Sequence, residues 1–242
     1  MSREHEPIPT GVHYAVCGAP GSGKTELIKL LKCFYGFQEV EEPFMQNPHL
    51  PKFYQESQLD NAFKTQVTFL AMRGLTRMKI LNFLPSDPTS VLEDQGMEGD
   101  IIIEHVQRQL GMISPEDHKA YLGVHRSFKA SDSLSRPQII IFLKTNPATI
   151  GSRIEKRGRE MELSLHKKCP EYFPAVAAAF NRWERVLVRR GFPVVSIDTD
   201  NCDFVKRPEH KIQVIEEVLH WTRYYLDSRD PIAASPYVGG GK

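Results

Sequence analysis

Apolar residues recur along this chain in two rhythms. Short runs at 13–17, 37–41, 91–92, 138–143 and 193–197 have the length of strands. Longer stretches at 26–32, 59–82, 101–110, 115–128, 148–156, 172–190 and 208–226 carry apolar positions three and four residues apart, the spacing of helices. Gln138-Ile-Ile-Ile-Phe-Leu143 has no polar alternation, which predicts a strand buried on both faces. Strands alternating with helices predict an α/β fold with a parallel five-stranded sheet flanked by helices in three layers. Gly111 separates two of the helices, and Ser114 with Asp117 is a weak cap signal for the second. Residues 47–58 are turn-rich and read as irregular, and 86–90 break the chain before the third strand.

Length and composition narrow the classes. The 242 residues, 40% hydrophobic, suit a single domain over 1–230, with 231–242 ending in a glycine-rich flexible tail. A net charge of +1 gives no electrostatic case for a nucleic-acid partner, and no apolar run reaches membrane-spanning length. The four cysteines form no C-x-x-C pair, and residues 1–10 lack signal-peptide and transit-peptide features. A reducing, cytoplasmic location is the expectation.

The chemistry begins at Gly18-Ala19-Pro20-Gly21-Ser22-Gly23-Lys24-Thr25, which satisfies G-x-x-x-x-G-K-[ST] between a predicted strand and a predicted helix. Glycines allow successive N–H groups to turn inward, and the following helix presents its positive end, so the loop suits polyphosphate. Lys24 is expected on the β/γ-phosphates and Thr25 on Mg²⁺, making ATP with Mg²⁺ the expected ligand. Glu41 and Glu42 end the second strand, and Glu93 and Asp94 the third, so both pairs are expected to project toward the phosphates. Arg153, Arg157 and Arg159 form the densest cationic run, with Gly158 as a hinge. Beside a phosphate loop, this run reads as an Arg-rich lid.

Several of these segments together resemble the deoxyribonucleoside kinase family. Glu42-Pro43 looks like that family's Glu-Pro, whose Glu is the general base on the 5′-hydroxyl, and Asn47-Pro-His-Leu50 with Phe53-Tyr54 follows in family order. By this resemblance Tyr54 and Glu162 bind the sugar 3′-hydroxyl. Gln66 and Arg73, with Phe69 between them, face the base, and Asp100 partners the arginine. Arg153, Arg157 and Arg159 cover the phosphates. Asp94 joins Thr25 at the metal, and Asp200, Asp203 and Phe204 lie in the loop against the donor's adenine. Thymidine-preferring members lack the Arg–Asp pair.

The resemblance implies a kinase acting on a deoxynucleoside, deoxyadenosine favoured, and a homodimer or larger homo-oligomer built on long helices such as 59–82 or 101–110. One position departs from the family pattern. Asp94-Gln95-Gly96 stands where relatives carry an acid followed by Arg-Ser, so Gln95 replaces an arginine. A nucleoside monophosphate kinase and a non-catalytic nucleotide-binding scaffold are the rival readings. The Glu41–Glu42 pair opposes the first, and Gln95 favours the second.

Overall fold

The computed structural model describes residues 8–41 and 44–227, apart from the side chain of Met45. Glu42 and the 231–242 tail therefore lie outside the described residues. The elements in order are β1 (His13–Gly18), α1 (Lys24–Tyr35), β2 (Gln38–Val40), α2 (Leu50–Gln55) after a 3-10 turn at Phe44–Gln46, and α3 (Gln58–Phe83). Next come β3 (Val91–Asp94), α4 (Met97–Gln109), α5 (Pro115–Ala130), β4 (Ile139–Lys144), α6 (Pro147–Arg157), α7 (Glu160–Lys168), α8 (Tyr172–Arg189), β5 (Val194–Asp198) and α9 (Pro208–Asp227).

All four strand pairings are parallel, in the order β2-β3-β1-β4-β5. Parallel neighbours need crossovers that cover both faces, so interior strands bury both sets of side chains. β1 is accordingly buried throughout, and β4 up to its last residue. On one face Tyr14, Val16, Ile141 and Leu143 pack with Leu27, Ile28 and Leu31 of α1 and Val218 of α9. On the other, Ala15, Cys17, Ile140 and Phe142 meet Phe173, Val176 and Phe180 of α8. The chain leaves β1 toward β2 on one side and returns for β4 on the other, so the strand order reverses at the carboxyl end of β1. This is where open parallel sheets hold ligands.

Three local features differ from the sequence expectation. Residues read as irregular include α2, where Leu50, Phe53 and Tyr54 turn inward at helical spacing and packing offsets the shortness of the helix. α4 begins four residues earlier than expected, because extended Gly96 is its N-cap and Glu98 and Asp100 favour its first turn. The arginine run leaves the expected helix through Gly158 into a second, short helix that was not expected. Left-handed Gly158 closes α6 with its N–H on Ile154 O, and α7 follows with acids in its first turn and His166, Lys167 and Lys168 in its last. The weak signal at Ser114 corresponds to a formed cap, its Oγ accepting from Asp117 N at 3.0 Å. No helix among the described residues is long and apolar enough to cross a membrane.

A buried polar cluster ties β3 into this frame. Arg77 of α3 donates to both oxygens of Glu93 at 3.0–3.2 Å and also binds Glu98 of α4. His13 Nε2 lies 3.2 Å from Glu93, and its Nδ1 lies 2.9 Å from Ser135 Oγ. Glu93 was expected to face the phosphates; it points to the opposite side of β3, because successive strand residues alternate. Burial pushes the Glu93 carboxyl up, but the charges of Arg77 and His13 outweigh it and hold the group well below its ordinary 4.5.

Arg77→Met strands Glu93 without its main counter-charge, and is expected to cost about 3–5 kcal/mol in urea unfolding. A carboxyl with a lowered folded-state pKa stabilises above its unfolded value. The contribution of Glu93 should therefore be complete above about pH 4.5 and decline as the pH falls further. Acid titration of wild type against Glu93→Gln checks this sign.

Candidate active site

The phosphate loop leaves β1 under close constraint. A Cβ at Gly18 would lie 2.7 Å from Ser22 Oγ and 2.9 Å from Leu143 O, so only glycine fits beside β4. Gly21 and Gly23 have φ of 83° and 101°, which glycine adopts without a Cβ penalty. Ala19 is buried, Pro20 lines the cavity described below, and the buried Ser22 Oγ has no protein partner. Lys24 Nζ rests on the loop's own carbonyls, 3.0 Å from Gly18 O and 3.4 Å from Ala19 O. A strand, a glycine cradle and a 12-residue helix meet here with an ammonium held by weakly bound carbonyls, the donor set a polyphosphate requires.

An open cavity extends from Gly18, Lys24 and Thr25 between α2, α3, α4 and α7. Asp94, Gln95, Arg157, Arg159 and Glu162 line it, together with Tyr54, Gln66, Phe69 and Asp100. Asp94 rather than Glu93 is thus the strand-three acid that faces the cavity. Arg157 Nε donates to Glu162 Oε2 at 2.8 Å with a second contact from Nη2, while Arg159 lies over the Phe44 ring, 5.6 Å from its centroid.

Deeper in, Arg73 is 1% exposed. Its Nε donates to Asp100 Oδ2 at 2.5 Å and its Nη1 to Asp94 O at 3.0 Å. The guanidinium also lies 5.7 Å from the Phe69 ring centroid. On its helix, Gln66 precedes Arg73 by seven residues, about two turns, and on α4 Gln107 follows Asp100 by the same interval. Both glutamines line the cavity.

Buried polar atoms in native proteins are almost always hydrogen-bonded, so unmet ones mark where something else binds. Gln66 Oε1, Thr65 Oγ1, Gln107 Oε1 and both amide atoms of Gln95 have no protein partner, and all four residues line this one cavity. Apolar walls come from Leu50 and Phe53 of α2, Ile103 of α4 and Tyr172 of α8, the last accepting from Gln107 Nε2 at 3.0 Å. Such a mixture, with few polar groups on apolar walls, suits a small planar ligand with polar edges.

Four residues expected on the donor side lie away from this cavity. Arg153 does not reach over the phosphate loop; its guanidinium donates to Thr199 and, at 2.8 Å, to Asp200. Asp200 is further held by Asn146 N and the Thr149 hydroxyl, so together they pin the loop after β5 to the start of α6. Asp203 accepts from Lys206 N. Phe204 is core, 3.5 Å from where a Gly23 Cβ would sit, and supports the loop from below. Sequence reasoning passed over Thr65, Ile103, Gln107 and Tyr172. Gln107 had a usable signal, the two-turn spacing from Asp100; Tyr172 had none, since α8 is distant in sequence.

Fold and site define a P-loop phosphotransferase in which a phosphate cradle opens onto a walled acceptor cavity. The sequence signature described as "Deoxynucleoside kinase" matches residues 14–222, and the chain belongs to the deoxynucleoside kinase family. It is similar to the deoxyadenosine/deoxycytidine kinase of Bacillus subtilis (strain 168), 28% identical over 225 residues, 90% of this chain and 97% of that protein. The deoxyguanosine kinase of Lactobacillus johnsonii is 27% identical over 206 residues, 84% of this chain and 88% of that one. Among solved structures, the deoxyadenosine kinase from M. mycoides with dCMP and dCDP products shares the fold. Its TM-score is 0.71 at 23% identity, covering 86% of this chain and 99% of the other. The chain is therefore an ATP-dependent kinase acting on deoxynucleosides.

Gly18→Ala forces a Cβ against the Leu143 carbonyl, and is expected to weaken binding of an ATP analogue at least tenfold in a calorimetric titration.

Proposed function

We propose that this kinase moves the γ-phosphoryl group of ATP to the 5′-hydroxyl of purine deoxynucleosides, deoxyadenosine first. The observation that supports the base preference is the buried Arg73–Asp100 ion pair, whose aspartate lines the same cavity as Gln66 with its unmet Oε1. Opposite charges buried together offer both donors and acceptors to a base that bears an exocyclic amine. Each charge-assisted bond is worth about 1.5–3 kcal/mol, enough to separate base classes.

In this reading the sugar lies between Tyr54 and Glu162, which hold its 3′-hydroxyl. Glu42 takes the proton of the attacking 5′-hydroxyl, a role that rests on the Glu-Pro resemblance. Lys24 exchanges the Gly18 and Ala19 carbonyls for phosphate oxygens, and the loop amides align them. Arg157 and Arg159 approach the transferring group across Gly158, the left-handed residue between α6 and α7, acting as the lid. Thr25 and Asp94, both on the cavity near Lys24, would hold Mg²⁺, which supplies charge neutralisation at the phosphates when bound. Arg153 and Asp200 shape the loop for the donor's base rather than touch its phosphates. The chain acts in nucleotide salvage as a homodimer or larger homo-oligomer. Leu75, Met78 and Leu81 form an exposed apolar stripe on α3 suited to a second copy.

The test is ATP-dependent phosphorylation of the four deoxynucleosides and their monophosphates, with Lys24→Ala as the control. Deoxyadenosine is expected to give the highest kcat/KM and thymidine one at least tenfold lower, with the Lys24→Ala rate down by about 10³ or more. Chelation of Mg²⁺ should stop turnover. Product from monophosphates alone, or thymidine in first place, would overturn the reading. In sedimentation, Leu75→Glu with Met78→Glu is expected to shift the protein to monomer.

A further inference from the structure

Two walls of the cavity are joined at an exposed point outside it. Lys168, the last residue of α7, donates from Nζ to Gln55 O, the last carbonyl of α2, and at 3.4 Å to Glu56 O. The final carbonyls of a helix have no intrahelical partner, and an ammonium is a favourable one. Phe53 O of the same helix is met by Gln58 Nε2 of α3 at 2.9 Å. The corner between α2 and α3 is therefore closed by one side chain of its own and one from α7.

α7 also meets the α2 segment elsewhere. Leu165 shares a buried cluster with Leu50, Phe53 and Tyr54, and at the start of α7 the Arg159 guanidinium lies over the Phe44 ring. The two polar holds differ in what the site asks of them. Arg159 lines the cavity and, in the reading above, leaves Phe44 for the transferring phosphate, whereas Lys168 does not line it. Lys168 is thus the polar hold that remains when Arg159 moves. Tyr54 lies one residue before Gln55, and Glu162 six before Lys168, about 9 Å along the helix axis. The bond from Lys168 to Gln55 therefore limits how far the Tyr54 and Glu162 side chains can separate.

We propose that Lys168 is a positioning residue that latches α7 to the α2–α3 corner and sets the gap between Tyr54 and Glu162 to fit a sugar 3′-hydroxyl. The proposal rests on the reading above, in which those two residues hold that hydroxyl. It deepens that reading by tying sugar recognition to a surface ammonium that touches no substrate. A hydrogen bond of this kind stabilises by a modest amount, so the latch tunes acceptor binding and is not required for the fold.

The test is steady-state kinetics and thermal melts on Lys168→Met, which keeps the aliphatic stem without the donors, and on Lys168→Arg, which keeps donors. Because the side chain is exposed, Lys168→Met is expected to lower Tm by less than about 4 °C. Its KM for the preferred deoxynucleoside should rise about threefold to tenfold, with KM for ATP within about twofold of wild type. Toward the matching 2′,3′-dideoxynucleoside, which lacks the 3′-hydroxyl, the same substitution should change kcat/KM by less than about twofold. Lys168→Arg is expected to stay within about twofold of wild type on both acceptors. An unchanged deoxynucleoside KM in Lys168→Met, equal losses on both acceptors, an equal rise in KM for ATP, or no rescue by arginine would overturn the proposal. Wild-type protein that phosphorylates the two acceptors equally well would instead defeat the assignment of Tyr54 and Glu162 to the 3′-hydroxyl, and this proposal with it.

Discussion

The guanidinium of Arg77 is bound at once by Glu93, near the end of β3, and by Glu98, in the first turn of α4, while its backbone belongs to α3. Three elements that wall the cavity therefore share one buried charge centre. Buried ions are costly unless fully partnered, so the arrangement tolerates little sliding of α3 against the sheet. With Glu93 committed to Arg77 and His13, strand alternation sends Asp94 the other way, into the cavity. The turn at Gln95 and the extended Gly96 then start α4 early enough for Asp100 to meet Arg73. The Arg73–Asp100 ion pair is a consequence of the structural one.

This division of labour separates two kinds of buried charge. Around Arg77 each carboxylate is matched within the protein, and the cluster serves stability. Around the cavity the polar inventory is deliberately short of partners: Gln66, Thr65, Gln95 and Gln107 leave atoms that only water or a ligand can meet. The same physics that makes the first cluster rigid makes the second selective, because an acceptor lacking the matching groups leaves buried dipoles unpaired.

Much of the fold was legible along the chain. Near-continuous apolar runs located β1 and β4, as burial on both faces requires, shorter apolar signals marked β2, β3 and β5, and the helical spacing located all the long helices. The short helices were not legible. α2 has too few residues to show a period and exists because Leu50 and Phe53 are buried by others; α7 is highly charged and its start depends on how Gly158 turns. Among site residues, the phosphate loop was readable because its glycines, lysine and threonine are contiguous. The pairing of Arg73 with Asp100, and the nearness of Gln66 and Asp100 on one cavity, were expected from family resemblance and helical spacing. The direction of Glu93, the engagement of Arg153 with Asp200 and the core position of Phe204 were not, because each depends on a partner far away in sequence.

The sequence by itself determined that this chain has a parallel α/β fold with a phosphate-binding loop, and which helices carry its polar candidates. These are properties of local periodicity and contiguous motifs, where short-range sterics and hydrogen bonding suffice. Tertiary structure decided which carboxylate faces the cavity, which arginines are committed to the frame and which line the cavity, and which buried amides remain unmet. Those outcomes depend on burial and on pairing of charges brought together from distant segments, and no local pattern encodes them.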